Sequence, residues 1–203
     1  MTLILICEKK IIAGVDEVGR GSLVGPVYAA AVILNKNINK KKLRDSKKIS
    51  KKSREILEKY IKENSFWSIA SASTKEIEKL NILNASLLAM KRAIKKLEIK
   101  PNLVLIDGNQ IPDIKNYNLK FVIKGDQKVP EISAASIIAK VTRDRLIKKI
   151  SKKHKGYYWD KNAGYGTQKH LKAIKKLGIT KYHRKKYKPI YNILSLKKFS
   201  TQL

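Results

Sequence analysis

Cysteine is all but absent from this 203-residue chain. The single thiol, Cys7, excludes an internal disulfide framework and a cysteine-based zinc site, and it suits a reducing compartment. Long apolar runs are missing too, since no stretch approaches the roughly 18 residues that a membrane helix needs. The apolar opening Met1 to Cys7 has no basic leader and runs straight into Glu8, Lys9 and Lys10, so no signal peptide and a cytoplasmic location are expected. No internal repeat and no Pro/Gly/Ser-rich linker divides the chain. Its length suits one domain able to bury roughly 70% of the unfolded chain's surface.

Acids are scarce. Sixteen Asp and Glu stand against 46 Lys and Arg, a net charge of +30, which favours a polyanionic partner over a small neutral substrate. Arginine is scarce as well, at seven of the 46 basic residues. Where phosphate geometry matters, the planar fork of arginine is usually preferred. Abundant Lys, Ile and Asn are also what AT-rich coding leaves behind, so the charge alone names no function.

Apolar stretches Ile11 to Val18 and Val27 to Leu34 flank a glycine-rich segment, which predicts strand, turn, strand. A lysine-rich connection follows over 35–48. Ser50 reads as the N-cap of a helix to about Glu63, Phe66 to Ala72 as a third strand, and Ile82 to Leu97 as an amphipathic helix. Leu103 to Ile106 and Leu119 to Ile123 read as strands. Pro130 opens a long helix, Glu131 to about Ser151, that is apolar almost all round in its first half and therefore buried. Thr167 caps a short helix to Leu177, and the end from Lys181 is basic with little periodicity. The order predicts an α/β fold with a mixed central β-sheet flanked by helices, and a small helical C-terminal part.

So few acids can be inspected singly. Glu55, Glu58, Glu76 and Glu78 are expected on helix surfaces among lysines. Four others stand at or just past strand ends: Asp16 and Glu17, Asp107 before Gly108, and Asp126 after Gly125. Ligands of α/β sheets gather at such places. Convergent carboxylates in a cleft need protons or cations, and an oxygen-only cluster suits hard divalent ions such as Mg²⁺ or Mn²⁺. Turn chemistry is the bland explanation for Asp107 and Asp126. Adjacent Asp16 and Glu17 can share one site only if the strand bends or ends there, which Gly19 and Gly21 permit.

The spacing of Gly19, Gly21 and Gly25 fits neither the dinucleotide fingerprint nor the Walker A loop, and a strand follows, not a helix. The glycines instead let backbone N–H groups approach a ligand closely, with Arg20 between two of them. On the long helix, Ser133, Ser136, Lys140 and Asp144 fall along one side. Lys140 before Asp144 is the weaker i,i+4 orientation for helix support, so the pair reads either as a buried tie holding the fold or as organising residues near the metal site.

Gly14-Val15-Asp16-Glu17-Val18-Gly19-Arg20-Gly21, followed by Leu23-Val24-Gly25-Pro26-Val27, resembles the opening of bacterial ribonuclease HII, a type 2 ribonuclease H. Asp45-Ser46-Lys47-Lys48, Leu80-Asn81-Ile82-Leu83, Ile106-Asp107-Gly108-Asn109, Lys124-Gly125-Asp126 and Ile132 through Asp144 match further family segments in order. The resemblance runs from about Ile11 to Pro189. It implies the ribonuclease H-like fold, with a catalytic core over about 11–150 and the helical part over about 151–203. The implied activity is endonucleolytic cutting of the RNA strand of RNA–DNA hybrids, and incision of duplex DNA 5′ to embedded ribonucleotides. Two divalent cations would be held by Asp16, Glu17, Asp107 and Asp126, leaving 5′-phosphate and 3′-hydroxyl ends.

The resemblance further implies that backbone groups of Gly19, Arg20 and Gly21 contact the ribose 2′-hydroxyl and that a tyrosine packs on the adjoining deoxyribose. Gly164-Tyr165-Gly166-Thr167 with His170 matches that tyrosine's motif better than His154-Lys155-Gly156-Tyr157 does, so Tyr165 is expected there. Ser46 and Lys47 match a segment that touches the substrate backbone, although a solvated lysine run reads the same, while His183 and Arg184 match a C-terminal family segment and are expected within reach of phosphates. The expected state is a monomer with no membrane partner. Ribonuclease HIII, the nearest alternative, usually carries an extra N-terminal domain, for which ten residues before Ile11 leave no room. A non-catalytic basic binder would explain the charge but not four acids facing phosphates.

Overall fold

The computed structural model describes residues 10–43 and 50–200, with the side chains of 196–200 left aside. Cys7, Ser46 and Lys47 lie outside the described residues. Five strands form one mixed sheet: β1 (Ile12–Val18), β2 (Val27–Leu34), β3 (Ser65–Ala72), β4 (Leu103–Asp107) and β5 (Leu119–Val122), in the order β3-β2-β1-β4-β5. β1, β2 and β3 pair antiparallel, whereas β4 and β5 run parallel to β1. The helices are α1 (Lys51–Glu63), α2 (Thr74–Lys95), α3 (Gly125–Lys128), α4 (Pro130–Lys153), α5 (Trp159–Asn162), α6 (Gln168–Leu177) and α7 (Lys188–Ser200). Among the described residues none is long and apolar enough to cross a membrane.

Helices cover both faces of the sheet because β2 is apolar on both. Ala29, Ala31 and Ile33 turn toward α2 and pack with Ala85, Ala89 and Ala93; Ala30 and Val32 turn the other way, toward Ala134, Ala135 and Ile138 of α4. Small residues on strand and helix let the layers approach closely. The closest approach is at Gly14, where a Cβ would stand 2.1 Å from the backbone carbonyl carbon of Glu131. Only glycine lets the start of α4 lie across β1. A third apolar cluster lies under the C-terminal helices, where Trp159, Tyr157, Ile174, Ile190 and Ile193 pack with Leu23, Val24 and Ile147.

Two expectations are corrected, the start of α2 and the placement of Glu58. α2 begins at Thr74, eight residues before the expected start, because Ser73 and Glu76 form a reciprocal capping box. The sequence pattern nevertheless marks a real break, since Asn81 is non-helical (φ 69°) and its Oδ1 accepts from Asn84 N–H at 3.0 Å, starting the helix afresh. The basic C-terminal stretch folds as the helix α7, in keeping with the expected helical C-terminal part despite its weak periodicity, and its Ile190 and Ile193 complete the third cluster.

Glu58, expected on the surface, is 3% exposed. Both of its oxygens accept from the Arg145 fork at 3.0 Å, and Lys62 adds a second cation, tying α1 to α4. Burial alone would raise the Glu58 pKa, but these hydrogen bonds hold it below the usual carboxylate value.

Candidate active site

The site follows from the register of β1 and β4. Val15 lies opposite Ile106, so the next residues, Asp16 and Asp107, stand side by side at the carboxyl ends of two parallel strands, about 5 Å apart at the backbone. Asp126 comes from the other side. β5 stops at Val122, the left-handed Lys124 (φ 55°) turns the chain, and Asp126 is presented by the short α3, not by a strand end. The Gly125 N–H donates to Asp107 Oδ1 at 2.7 Å, which joins the two acidic segments directly.

The close packing at Gly14 sets the rest. From Gly14 to Asp16 the strand advances about 6.6 Å, and from Glu131 to Ser136 the helix advances about 7.5 Å. Ser136 therefore comes over Asp16, and its hydroxyl hydrogen-bonds that carboxylate. One turn later Lys140 enters the same cleft, its Nζ 3.0 Å from Asp144 Oδ1. Lys140 and Asp144 are half-buried and Lys140 lines the cleft, the position near the acids that the second reading expects and not that of a fully buried pair. Ser133 faces elsewhere, donating to the Leu43 carbonyl.

The resulting cleft has a volume of about 400 Å³ and is lined by Asp16, Glu17, Asp107, Asp126, Arg54, Ser136, Lys140 and Tyr165, with Val18 and Ile137 beneath. All four acids singled out in the sequence are thus brought together. Glu17 shares the cleft with its neighbour Asp16 because β1 ends at Val18 and Gly19 turns away at φ +95°. A side chain at Gly19 would collide with Arg143, whose Nε lies 2.2 Å from the Cβ position.

Electrostatics mark the site. Burial first, then the charges of Glu17 and Asp107, push Asp16 well above the usual aspartate range, against hydrogen bonds from Ser136 and from the Glu17 N–H at 2.7 Å. Burial also raises Glu17, although the Arg20 guanidinium, 3.3 Å away, pulls the other way. Among the described residues no three acidic or imidazole groups are grouped as a ready-made metal site. The cleft offers four carboxylates, oxygen donors only, whose buried charges repel. That donor chemistry fits a hard divalent cation.

The two candidate tyrosines separate cleanly. Tyr165 lines the cleft, with Lys140 Nζ and Arg143 Cζ each 5.8 Å from its ring centre. Tyr157 is 5% exposed, stacked on Trp159, with its hydroxyl on the Gly178 carbonyl at 3.1 Å. Gly21 lies beside Tyr165, and the 22–25 segment is laced to 164–165 and 182–184 through Leu23 N–H to Gly164 O and Gly25 N–H to Tyr182 O. His183 and Arg184 are buried, at 1% and 0% exposure. They therefore do not reach outward to phosphates as expected. His183 Nδ1 accepts from Thr180 N–H, and Arg184 grips loop carbonyls. Pattern alone passes over Arg54, since on α1 nothing distinguishes it from neighbouring lysines except that it is an arginine.

A five-stranded mixed sheet in this order, flanked by helices and carrying acids at the carboxyl ends of its central parallel strands, has the ribonuclease H-like α/β fold. Residues 13–190 match the family model described as Ribonuclease HII. The chain belongs to that family and is a metal-dependent endoribonuclease. It is 71% identical over 185 residues to the ribonuclease HII of Pelagibacter ubique, covering 91% of this chain and 100% of that protein. The crystal structure of ribonuclease H2 from Pyrococcus horikoshii OT3 superposes with a TM-score of 0.78 at 25% identity, covering 92% of this chain and 98% of that one. Bst ribonuclease HIII in complex with Mn²⁺ shares the fold at a TM-score of 0.74 and 16% identity, covering 94% of this chain and 71% of that one.

Proposed function

We propose that this enzyme, acting as a single-domain monomer, hydrolyses the RNA strand of RNA–DNA hybrids and incises duplex DNA 5′ to embedded ribonucleotides. The observation that carries the reading is the meeting of Asp16, Glu17, Asp107 and Asp126 in one cleft at the ends of β1 and β4 and on α3. In a chain of net charge +30, four acids gathered where a polyanion must dock serve catalysis, because a pure binder gains nothing from them. These carboxylates would hold two Mg²⁺ or Mn²⁺ ions. Bound there, divalent cations supply an activated water and charge stabilisation for phosphodiester hydrolysis.

The chain's own side chains prepare that chemistry. Ser136 and the Glu17 N–H orient the Asp16 carboxylate, and the Gly125 N–H orients that of Asp107. Lys140 and Arg54 bring positive charge to the cleft wall for a phosphate. The backbone of Gly19, Arg20 and Gly21 reads the ribose 2′-hydroxyl, the one group that distinguishes a ribonucleotide from its deoxy neighbours. Tyr165 packs on the adjoining sugar.

A DNA duplex with one embedded ribonucleotide, incubated with Mg²⁺ or Mn²⁺, tests the proposal. Wild-type protein is expected to nick 5′ to the ribonucleotide, leaving 5′-phosphate and 3′-hydroxyl ends. Asp126→Asn should bind the duplex yet cut at least about 100-fold more slowly. Binding by the wild type without cation-dependent incision would leave only the basic-binder alternative.

A further inference from the structure

Arg184 is fully buried, and among the described residues no carboxylate meets it. Its main-chain N–H donates to Leu23 O, its Nε to Gly25 O and its Nη1 to Arg20 O, each at 2.9 Å. The same Nη1 donates to the Tyr187 hydroxyl at 2.8 Å, and that hydroxyl donates to Arg20 O at 2.7 Å. The guanidinium also lies 5.1 Å from the Tyr187 ring centre. Its remaining nitrogen, Nη2, has no partner among the described residues. Burying an uncompensated cation costs more than a few bonds to carbonyls return. A loop that needed only closing could be held by neutral donors, so the charge has another use.

The Arg20 carbonyl is where that use converges. It accepts one bond from a cation and another from a hydroxyl polarised by the same cation. Peptide resonance couples a carbonyl to the N–H across the bond, so drawing electron density to the oxygen makes that N–H a stronger donor. The N–H in question belongs to Gly21. Among the described residues it has no hydrogen-bond partner. A Cβ at Gly21 would stand 3.8 Å from Cε1 of Tyr165, so this peptide edges the cleft. Arg143, the other buried arginine, does not share the role, since its bonds go to Val24 O, Pro26 O and Ala163 O.

We propose that Arg184 and Tyr187 are positioning residues for ribose discrimination, fixing and polarising the Arg20–Gly21 peptide so that the Gly21 N–H donates to the 2′-hydroxyl of the ribonucleotide. This rests on the reading of the 19–21 loop given under the proposed function. Neither side chain touches the substrate, and neither belongs to the carboxylate chemistry.

The test compares affinities of the full chain, without divalent cations, for two duplexes that differ only in one 2′-hydroxyl. Tyr187→Phe keeps the ring and removes the hydroxyl. It is expected to lower the preference for the ribonucleotide duplex about fivefold to tenfold, the scale of one hydrogen bond. The affinity for the all-deoxy duplex should stay as in the wild type, and the melting temperature should fall by no more than about 2–4 °C, the scale of one lost hydrogen bond. Arg184→Lys, which keeps charge but not the fork, should lower the preference by at least as much. Gly19→Ala, whose side chain is disfavoured at φ +95° and would meet Arg143, displaces the loop and so tests the loop itself. If Gly19→Ala lowers the preference while Tyr187→Phe leaves it unchanged, or weakens both duplexes equally, the polarised-peptide inference is overturned and the loop reading stands. If Gly19→Ala leaves the preference intact, the loop reading fails and takes this inference with it.

Discussion

Among single residues, arginine carries information that lysine does not. Every described arginine is used where a planar fork or a cleft calls for it. Arg145 meets both oxygens of Glu58, and Arg92 meets Glu76 and the Ser71 carbonyl. Arg143 and Arg184 hold loop carbonyls, Arg20 reaches Glu17, and Arg54 lines the cleft. Scarcity is itself the signal that sets these arginines apart in a lysine-rich chain, just as scarcity sets apart the acids Asp16, Glu17, Asp107 and Asp126. What pattern could not show is a buried arginine paired only with carbonyls, because its partners have no side-chain signature. Asp16 illustrates the cost of such a site. Folding raises its pKa through burial and like charge, so its contribution to stability declines as pH rises from the unfolded value through the folded one. Asp16→Asn removes the charge. With chelator present it should raise the melting temperature by about 2–4 °C, equivalent to about 1 kcal/mol, while abolishing cation-dependent cutting. A lower melting temperature would show that the carboxylate supports the fold instead of straining it.

Between elements, one contact governs the site: α4 against β1 at Gly14. The sequence shows the apolar strand and the all-round apolar helix, and their burial follows from composition. It does not show that they cross at Gly14, although the crossing places Ser136 over Asp16 and Lys140 in the cleft. Gly14→Ala puts a methyl group onto helix backbone that cannot swing aside. It is expected to cost about 3 kcal/mol or more, and the surviving folded fraction should cut more slowly than the wild type. Unchanged thermal unfolding and activity would refute the close crossing. The C-terminal elements depend on a second arrangement. Trp159 Nε1–H donates to His170 Nε2 at 2.8 Å, His170 Nδ1 lies 2.8 Å from Tyr165 O, and His183 packs beside it. Burial first and then the neighbouring His170 lower the His183 pKa to about 4. The unfolded chain therefore binds one more proton between about pH 6.5 and 4. Stability from this group is full above the upper value and lost as pH falls through the lower, by about 3 kcal/mol at most. Urea midpoints across that range should fall more steeply for the wild type than for His183→Asn; parallel curves would count against the buried neutral histidine.

At the scale of the whole molecule, a charge of +30 surrounds a cleft that gathers four of only sixteen acids, and the proposed function assigns binding to the first and cutting to the second. If only the lysines and arginines around the substrate contact phosphates, the affinity of Asp126→Asn for duplex should fall with salt at a log–log slope of about −0.9 per contact. We expect a slope of about −4 to −6, a handful of contacts; one steeper than about −9 would show that the lysine excess is engaged broadly. The sequence by itself determined the alternation of strands and helices, the fold class and the four acids, because periodicity and an anion in an apolar stretch are local properties of the chain. Only the tertiary structure decided that Asp126 arrives on a helical turn, that Glu58 is a buried tie, and that His183 and Arg184 turn inward. Each of these depends on which distant segment fills the neighbouring space, and packing between segments far apart in the chain leaves no periodic trace along it.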